Sequence, residues 1–360
     1  MKIAFLVLRN NYFSFFSTLI DQSLKRGNEV FCLHDYSQPK KGSKAYQFAY
    51  IENSPIFLNG KPIFLQFENQ NNLKKIILSN KIDIVVSLDF PESFLSLKRE
   101  LSGVGIYWVS LQNGFDFVAN AKYIEQPDLF FVYSSEWINW LEDYLNNSKI
   151  KNLPNIKSFG FWPADQKSII NKDIFRKKHN IPLNKKIVLL LPFPFGSSVD
   201  KFWTKYIYGL NNGFLQTLAA IFFGKTRFLK QIFKKENDKI LTKAIRKFCD
   251  KNNAYLLVKC RKKDPPKKYL QKMADKILYD ESFYPSTIME CLAVSDVCFN
   301  FYSTAAIEAV SMGVFNVCIA PNTADWQDIQ SNVWKSILAK EKDFFDFKGV
   351  SVKKTIPEII

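Results

Sequence analysis

The residues best suited to chemistry in this chain of 360 amino acids lie in one late stretch, residues 284–321. A short apolar run there ends in Tyr302, Ser303 and Thr304, and a helix-forming segment that contains Glu308 follows. A strand that enters a helix through a hydroxyl-rich turn leaves backbone N–H groups unpaired, and such a turn attracts phosphate. A carboxylate one turn further along can accept both hydroxyls of a ribose. The pattern predicts a nucleotide site, although a capped helix with a solvated Glu308 explains the same residues.

Two cations follow another apolar run, residues 254–258. Lys259 and Arg261 can stabilise the negative charge that develops on a departing phosphate. Because side chains alternate along a strand, only one of the two is expected to face a ligand, and Arg261 is favoured because it lies beyond the run. A solvated basic turn is the alternative interpretation.

Short apolar runs alternate with helix-forming segments along most of the chain, which predicts an α/β protein with parallel sheets. The predicted strands cover residues 2–8, 29–34, 82–88, 105–111, 129–133, 156–160, 187–191, 254–258, 277–280, 297–301, 314–319 and 350–353. Residues 56–58 and 62–66 are predicted to pair as a hairpin around Asn59 and Gly60. Gly27 and Gly313 are predicted to end helices.

Polar side chains also follow the predicted strands of the first half of the chain. They are Arg9, Asn10, His34, Asp89, Gln112, Asn113 and Asp116. The carboxyl ends of parallel strands form the ligand-binding edge of an open α/β sheet, so these residues are candidates for binding and catalysis. The Gly-x-Gly-x-x-Gly fingerprint is missing after the first strand, which argues against a dinucleotide coenzyme.

The late stretch resembles the donor-nucleotide segment of two-domain (GT-B) glycosyltransferases. The shared order is aspartate, buried strand, Tyr-Ser-Thr, Ala, Glu-Ala, small residue, Gly and strand. It is most similar to the branch of capsule and teichoic-acid transferases, which includes CDP-glycerol glycerophosphotransferases. Residues 160–165 resemble the Gly-x-Pro-x-x-Asp stretch that leads to the interdomain linker, and residues 176–192 also resemble that branch.

The resemblance implies two Rossmann-like domains whose parallel sheets face a central cleft. Residues 1–165 would form the acceptor-binding domain, 166–186 the linker, and 187–360 the donor domain. A basic, aromatic insertion covers 201–235. The usual closing helix back to the first domain is not evident, which suggests a truncated chain or a trimmed second domain.

The resemblance also implies roles for individual residues. Ser303 and Thr304, with Tyr302 beside them, would hold the diphosphate of a nucleotide sugar, and Glu308 would hold the ribose. Arg9, Asn10, Gln112 and Asp116 would contact the acceptor. The family has a His-Gly pair where this sequence has Asn113 and Gly114, so the usual general base is missing.

Asp89, Glu92 and Asp116 lie at strand ends and can replace that base. Asp89 is the favoured base because it is the first polar side chain after its strand, although it can equally be a helix cap before Pro91. His34 is a further candidate, and Asn113 can orient a hydroxyl. A retaining mechanism would need no base. No Asp-x-Asp pair is present, so no metal cofactor is expected.

Composition restricts the partners. The net charge is +16, from 50 basic and 34 acidic residues, which suits an anionic membrane surface or phosphorylated substrates. No nucleic-acid-binding motif is present, so nucleic acid is not an expected partner. The six cysteines form no C-x-x-C pair and are predicted to be buried thiols of a cytoplasmic protein.

The insertion at 201–235 contains seven basic residues, no acidic residue and many aromatic ones. This composition predicts peripheral attachment to the inner face of the cell membrane, with an ordinary packed helix as the alternative.

The sequence therefore predicts a glycosyltransferase that passes a sugar from a nucleotide donor to a lipid-linked or growing surface glycan. The alternatives are a CDP-polyol phosphotransferase, a nucleotide-sugar 2-epimerase and a noncatalytic glycan- or lipid-binding protein.

Overall fold

A computed structural model describes residues 1–37, 49–88, 94–113, 127–139, 155–192, 238–261, 266–301, 305–320 and 348–359. Two parallel sheets and the helices that flank them divide the chain into two compact units. The first unit contains Met1–Ile170 and Glu281–Met289, and the second contains Asn171–Asp280 and Glu290–Ile360.

The first unit has a seven-stranded parallel sheet. Its strands are β1 Lys2–Val7, β2 Glu29–Asp35, β3 Ile63–Phe67, β4 Ile84–Leu88, β5 Tyr107–Leu111, β6 Leu129–Val132 and β7 Asn155–Ser158. Their order in the sheet is β3-β2-β1-β4-β5-β6-β7. The described α-helices of this unit are α1 Phe13–Lys25, α2 Gln70–Ser79 and α3 Leu95–Leu101, and a 3-10 helix covers Trp162–Ile169. The order reverses between β1 and β4, where open α/β sheets bind ligands.

The second unit repeats this plan with six parallel strands. They are β8 Ile187–Leu190, β9 Tyr255–Lys259, β10 Lys276–Leu278, β11 Val297–Phe301, β12 Phe315–Ala320 and β13 Ser351–Thr355, in the order β10-β9-β8-β11-β12-β13. The helices are α4 Lys172–Lys178, α5 Asp238–Lys251, α6 Lys268–Met273, α7 Thr287–Ala293, α8 Ala305–Ser311 and α9 Ile356–Ile359. Here the order reverses between β8 and β11.

Aspartates placed just before a strand anchor the opposite, amino-terminal edge of both sheets. Asp83 precedes β4 and accepts from the backbone N–H of Lys2, and Asp128 precedes β6 and accepts from that of Trp108. The second unit has the same arrangement. Its pairs are Asp275 with the N–H of Leu256 and Asp296 with that of Ile187. Each carboxylate satisfies a backbone donor where a neighbouring strand begins.

The predicted helix ends are confirmed. Gly27 follows α1 with φ +74°, and Gly313 follows α8 with φ +76°. Side chains with a Cβ rarely adopt this left-handed conformation, so glycine suits the end of each helix. All six cysteines are buried thiols, as predicted.

A row of buried polar side chains crosses three strands of the second sheet. The Asn300 amide donates to Oδ1 of Asn316, whose own amide donates to the Ser351 hydroxyl at 2.9 Å. These contacts pair polar groups that are buried away from water, where an unpaired group would be costly.

The predicted hairpin at residues 56–66 is wrong. β3 pairs in parallel with β2, and its partners run from Phe31 with Ile63 to Asp35 with Phe67. The stretch before it forms a loop, because the backbone N–H groups of Leu58 and Asn59 donate to the carboxylate of Asp21 in α1. These N–H groups are therefore not used in a β ladder.

Residues Glu281–Met289 fold as part of the first unit, although the sequence placed them in the C-terminal domain. The Tyr284 hydroxyl donates to Asp21 at 2.9 Å, and the Ser286 N–H donates to Oε1 of Gln166 at 2.7 Å. The ring of Phe283 also lies 6.5 Å from that of Phe13. These contacts tie the segment to α1 and to the 3-10 helix Trp162–Ile169.

Candidate functional site

Glu308 lies at the carboxyl edge of the second sheet, in the helix that follows β11. The helix neighbours Ala305, Ala306, Ile307 and Ala309 are buried, whereas Glu308 retains some exposure. This position is next to the reversal of strand order between β8 and β11. The fold therefore presents a carboxylate where open α/β sheets bind nucleotides.

Lys259 and Arg261 lie at the same edge and act on Glu308. Both positive charges lower the pKa of the Glu308 carboxyl. Lys259 is the last residue of β9 and is only 8% exposed, and its Nζ donates to the backbone oxygen of Cys260 at 2.7 Å. Arg261 lies beyond the strand and is exposed. Residues two positions apart in a strand point to the same side, so alternation does not separate Lys259 from Arg261. Which of the two contacts a ligand stays a prediction.

Burial outweighs these two charges at Glu308. Loss of solvation raises the pKa of the carboxyl to about 7, with Arg261 and then Lys259 opposing the rise. The carboxyl therefore changes its charge near neutral pH. A pKa raised in this way, beside two cations, is typical of functional sites.

Two further acidic residues, not predicted as site residues, lie near Lys259. Burial raises the pKa of Glu290 in α7; Lys178 opposes this rise and Asp280 adds to it. Lys259, Glu290 and Asp280 all influence the buried thiol of Cys291, which places them in one neighbourhood. Asp280 could have been found from its position two residues after the end of β10. Nothing in the helical pattern around Glu290 marks it as a site residue.

Six predicted site residues lie outside the described residues. They are Asp89, Glu92, Asp116, Tyr302, Ser303 and Thr304. Their roles in catalysis, acceptor binding and phosphate binding stay predictions.

His34 is fully buried in β2. Its Nδ1 donates to the backbone oxygen of Ala49 at 2.8 Å, which leaves Nε2 as the acceptor facing the Ser54 hydroxyl. Burial lowers the pKa of His34 to about 4. The imidazole is therefore neutral at physiological pH and surrounded by protein, which does not suit the predicted catalytic role.

The two residues after β5 differ in their surroundings. Gln112 is buried, and its Oε1 accepts from the N–H of Tyr133 while its backbone oxygen accepts from the Tyr133 hydroxyl. Gln112 thus connects β5 to the end of β6. Asn113 follows it and is partly exposed.

Arg9 and Asn10 follow β1, at the reversal of strand order in the first sheet. Arg9 is exposed. Asn10 is only 5% exposed, and its Oδ1 has no hydrogen-bond partner in the part of the chain that the structure describes. A buried amide oxygen without a partner is costly, and a bound ligand can supply the missing donor.

Similarity to solved structures extends over both units. The UDP-GlcNAc 2-epimerase from Methanocaldococcus jannaschii matches 97% of this chain and 94% of its own, with a TM-score of 0.57 and 11% identity. The UDP-GlcNAc 2-epimerase from Neisseria meningitidis, bound to UDP-GlcNAc, matches 94% and 90%, with a TM-score of 0.53 and 10% identity. The wall teichoic acid polymerase TagF matches 98% and 85%, with a TM-score of 0.54 and 11% identity.

The fold is GT-B. The two parallel sheets, of seven and six strands, agree with this assignment, which the sequence predicted from the segment around Glu308. A scan of protein-family models and a search of curated protein sequences each found no match. At identities of 10–11% the GT-B likeness shows the fold alone.

None of the described helices combines the length and the apolar character needed to cross a bilayer. Within the same ranges, no three His, Cys, Asp or Glu side chains come together as a metal site.

Proposed function

We propose that this protein is a glycosyltransferase that moves a sugar from a nucleotide-sugar donor to a lipid-linked or growing cell-surface glycan. The observation that carries this proposal is the neighbourhood of Glu308, Lys259 and Arg261 at the carboxyl edge of the second sheet. A nucleotide sugar has a diphosphate, which suits two cations, and a ribose with two adjacent hydroxyls, which suits a carboxylate.

The same residues fit the departure of the nucleotide. In the transfer, an acceptor hydroxyl oxygen bonds to the anomeric carbon, and the bond from that carbon to the diphosphate breaks. The nucleoside diphosphate leaves with the electron pair and gains negative charge. Lys259 and Arg261 would stabilise that charge, as prearranged cations do in a site of low dielectric. The Ser303 and Thr304 turn would add N–H donors, and no metal is needed in this proposal.

The acceptor side of the reaction is assigned to the first unit. Arg9 and Asn10 would contact the acceptor, with the unpaired Oδ1 of Asn10 accepting a hydrogen bond from one of its hydroxyls. Asp89 remains the proposed base that receives the hydroxyl proton, and Asn113 the proposed orienting group. Gln112 would act indirectly, by holding the strand end that carries Asn113.

A nucleotide-sugar 2-epimerase is a second candidate, favoured by the likeness to two 2-epimerases over almost the whole of both chains. A polyol phosphotransferase is a third, favoured by the likeness to wall teichoic acid polymerase TagF. Each has a different reaction product. From a nucleoside-diphosphate donor, glycosyl transfer releases a nucleoside diphosphate and polyol phosphate transfer releases a nucleoside monophosphate, and epimerisation requires no acceptor.

The cellular setting follows from the proposed acceptor. A lipid-linked or surface glycan is built at the membrane, so we place the protein in the cytoplasm, peripheral to the inner face of the membrane. Residues 201–235, outside the described residues, would contribute to that attachment.

The proposal is tested in two steps with the full chain. A thermal-shift panel of UDP-, GDP-, CDP- and CMP-sugars identifies the donor, since a ligand at 100 times its dissociation constant stabilises by about 2.7 kcal/mol. The selected donor is then incubated with and without extracted lipid-linked glycans, and the nucleotide products are separated. Nucleoside diphosphate that forms only with acceptor supports the transferase. A changed sugar nucleotide without acceptor, or nucleoside monophosphate released with acceptor from a UDP, GDP or CDP donor, would assign one of the alternatives.

A further inference from the structure

Helix α5 has one buried side and one strongly basic side. Leu241, Ile245 and Cys249 recur every fourth residue and pack into the hydrophobic core of the second unit. Four lysines also recur every fourth residue and are all exposed. They are Lys239, Lys243, Lys247 and Lys251. Residues four apart share a helix face, so the lysines form a continuous row.

This lysine row is unfavourable in water. Like charges four residues apart on a helix destabilise it by about 0.2–0.5 kcal/mol per pair. Acidic neighbours do little to offset this repulsion, because Asp250 and Asp275 both already form ion pairs with Arg246. An anionic partner would remove the repulsion.

Apolar side chains lie beside the same row. Ile240 is 37% exposed and lies three residues before Lys243, and Phe248 is 44% exposed and lies three residues before Lys251, so each adjoins the row on the helix surface. Helices that lie in the plane of a membrane combine exposed aromatic and aliphatic side chains with lysines in this way. A phosphate backbone alone would gain nothing from Ile240 and Phe248, so a lipid surface fits better than nucleic acid.

Helix α6, the neighbour of α5, also carries exposed lysines. It packs beside α5, and its residues Lys268 and Lys272 are exposed and four apart. The six-residue helix contains no acidic residue. The two helices together therefore present six exposed lysines, which are the α5 row together with Lys268 and Lys272.

We propose that this surface of α5 and α6 docks on a bilayer that contains anionic phospholipid. The lysines would contact the headgroups, and Ile240 and Phe248 would enter the region between headgroups and acyl chains. The basic, aromatic stretch 201–235 precedes α5 in the sequence, with Glu236 and Asn237 between them. The surface is independent of the donor site, and it can be tested without any nucleotide.

The test is vesicle flotation of the full chain with phosphatidylcholine, alone and mixed with phosphatidylglycerol. The wild type is expected to float only with the mixed vesicles. Each lysine near an anionic surface contributes about 1 kcal/mol, so Lys243→Glu, Lys247→Glu and Lys251→Glu together should lower partitioning by on the order of 100-fold or more. Circular dichroism confirms that the variant is folded.

The matched control reverses three exposed lysines of the first unit, Lys25, Lys61 and Lys75. It changes the net charge of +16 by the same amount as the α5 variant. The control should retain most of the wild-type partitioning. Equal losses in both variants, or no loss in the α5 variant, would overturn the proposal.

A second variant, Ile240→Ser with Phe248→Ser, keeps every charge and tests the apolar part of the contact. It should lower partitioning most at high salt, where electrostatic attraction is screened. Unchanged partitioning at high salt would contradict insertion of these side chains. Displacement of the protein from vesicles by RNA at equal phosphate concentration would assign the surface to nucleic acid instead.

Discussion

The Tyr284 hydroxyl donates a 2.9 Å hydrogen bond to Oδ2 of Asp21, a residue 263 positions earlier in the chain. Asp21 is only 1% exposed, and its carboxylate also accepts from the N–H groups of Leu58 and Asn59 and from the Asn59 side chain. One buried carboxylate thus holds together α1, the loop before β3 and the returning segment Glu281–Met289.

Removing the Tyr284 hydroxyl should weaken this junction. Tyr284→Phe keeps the ring but leaves Asp21 with one donor fewer, and we expect a loss of about 1–2 kcal/mol in the free energy of unfolding. Asp21→Asn should cost more, about 2–4 kcal/mol, because its amide nitrogen would face the side-chain amide of Asn59 and the Tyr284 hydroxyl, which both donate to Oδ2 of Asp21. Urea titration measures both.

Tyr107→Phe is the control for Tyr284→Phe, since Tyr107 is 42% exposed. It should leave stability within about 0.5 kcal/mol of wild type. A Tyr284→Phe variant as stable as this control would mean that the bond to Asp21 is not a significant contributor to stability.

Donor affinity should depend on pH through Glu308. The carboxylate must be ionised to accept two ribose hydroxyls, and its pKa of about 7 means that the ionised fraction rises between pH 6 and 8. Linkage then predicts a dissociation constant about tenfold lower at pH 8 than at pH 6. The diphosphate of a nucleotide sugar is esterified at both ends and does not titrate in this range.

Calorimetric titration at the two pH values measures this dependence, with Glu308→Gln as the comparison. The variant carries no titrating carboxyl at this position and should bind weakly, with no comparable change. A wild-type affinity that does not vary between pH 6 and 8 would contradict the role of an ionising Glu308.

Arg261 should affect both affinity and the pH midpoint of binding. Arg261→Ala removes a charged donor to the diphosphate, which we expect to weaken binding by ~10-fold or more. It also removes the first of the two charges that lower the pKa of Glu308, so the pH midpoint should move upward. A merely structural role would leave that midpoint unchanged. The affinity of Arg261→Ala for the donor, measured across pH, checks both effects.

Asp128 should matter for the stability of the first sheet. Its carboxylate accepts from the N–H of Trp108 at 2.7 Å and pairs with Lys98 at 2.9 Å. Asp128→Ala leaves a backbone donor unpaired at the sheet edge and should cost about 1–3 kcal/mol. Glu68→Ala, at an exposed position, is the control in the same urea titration and should be nearly neutral. Equal urea midpoints for Asp128→Ala and Glu68→Ala would contradict a stabilising role of Asp128.

The sequence predicted the strands well because each carries its own apolar run. β1, β5 and β11 begin and end within two residues of their predicted positions. The helix ends at Gly27 and Gly313 were predictable because a helix end depends on the residues next to it in sequence. The neighbourhood of Glu308 and Arg261 also followed from strand ends, since the carboxyl ends of parallel strands meet at one edge.

Contacts between residues far apart in sequence could not be predicted from local patterns. Asn59 and Gly60 indicate a hairpin by themselves, but the loop is set by Asp21, which is far away in sequence. The sequence made His34 a candidate for catalysis because it ends a predicted strand. The structure surrounds its ring with Ala49 and Ser54, which are distant in sequence. No local signal showed that Tyr284 belongs with α1.

The most direct test of the central claim is calorimetric titration of the preferred nucleotide sugar into wild type, Glu308→Ala and Glu358→Ala. Glu358 is an exposed glutamate of the same unit that accepts from Thr355, and its loss controls for a changed charge. We expect saturable binding to wild type and Glu358→Ala, and no measurable binding to Glu308→Ala. Binding to Glu308→Ala as tight as to wild type would contradict a nucleotide site at the carboxyl edge of the second sheet.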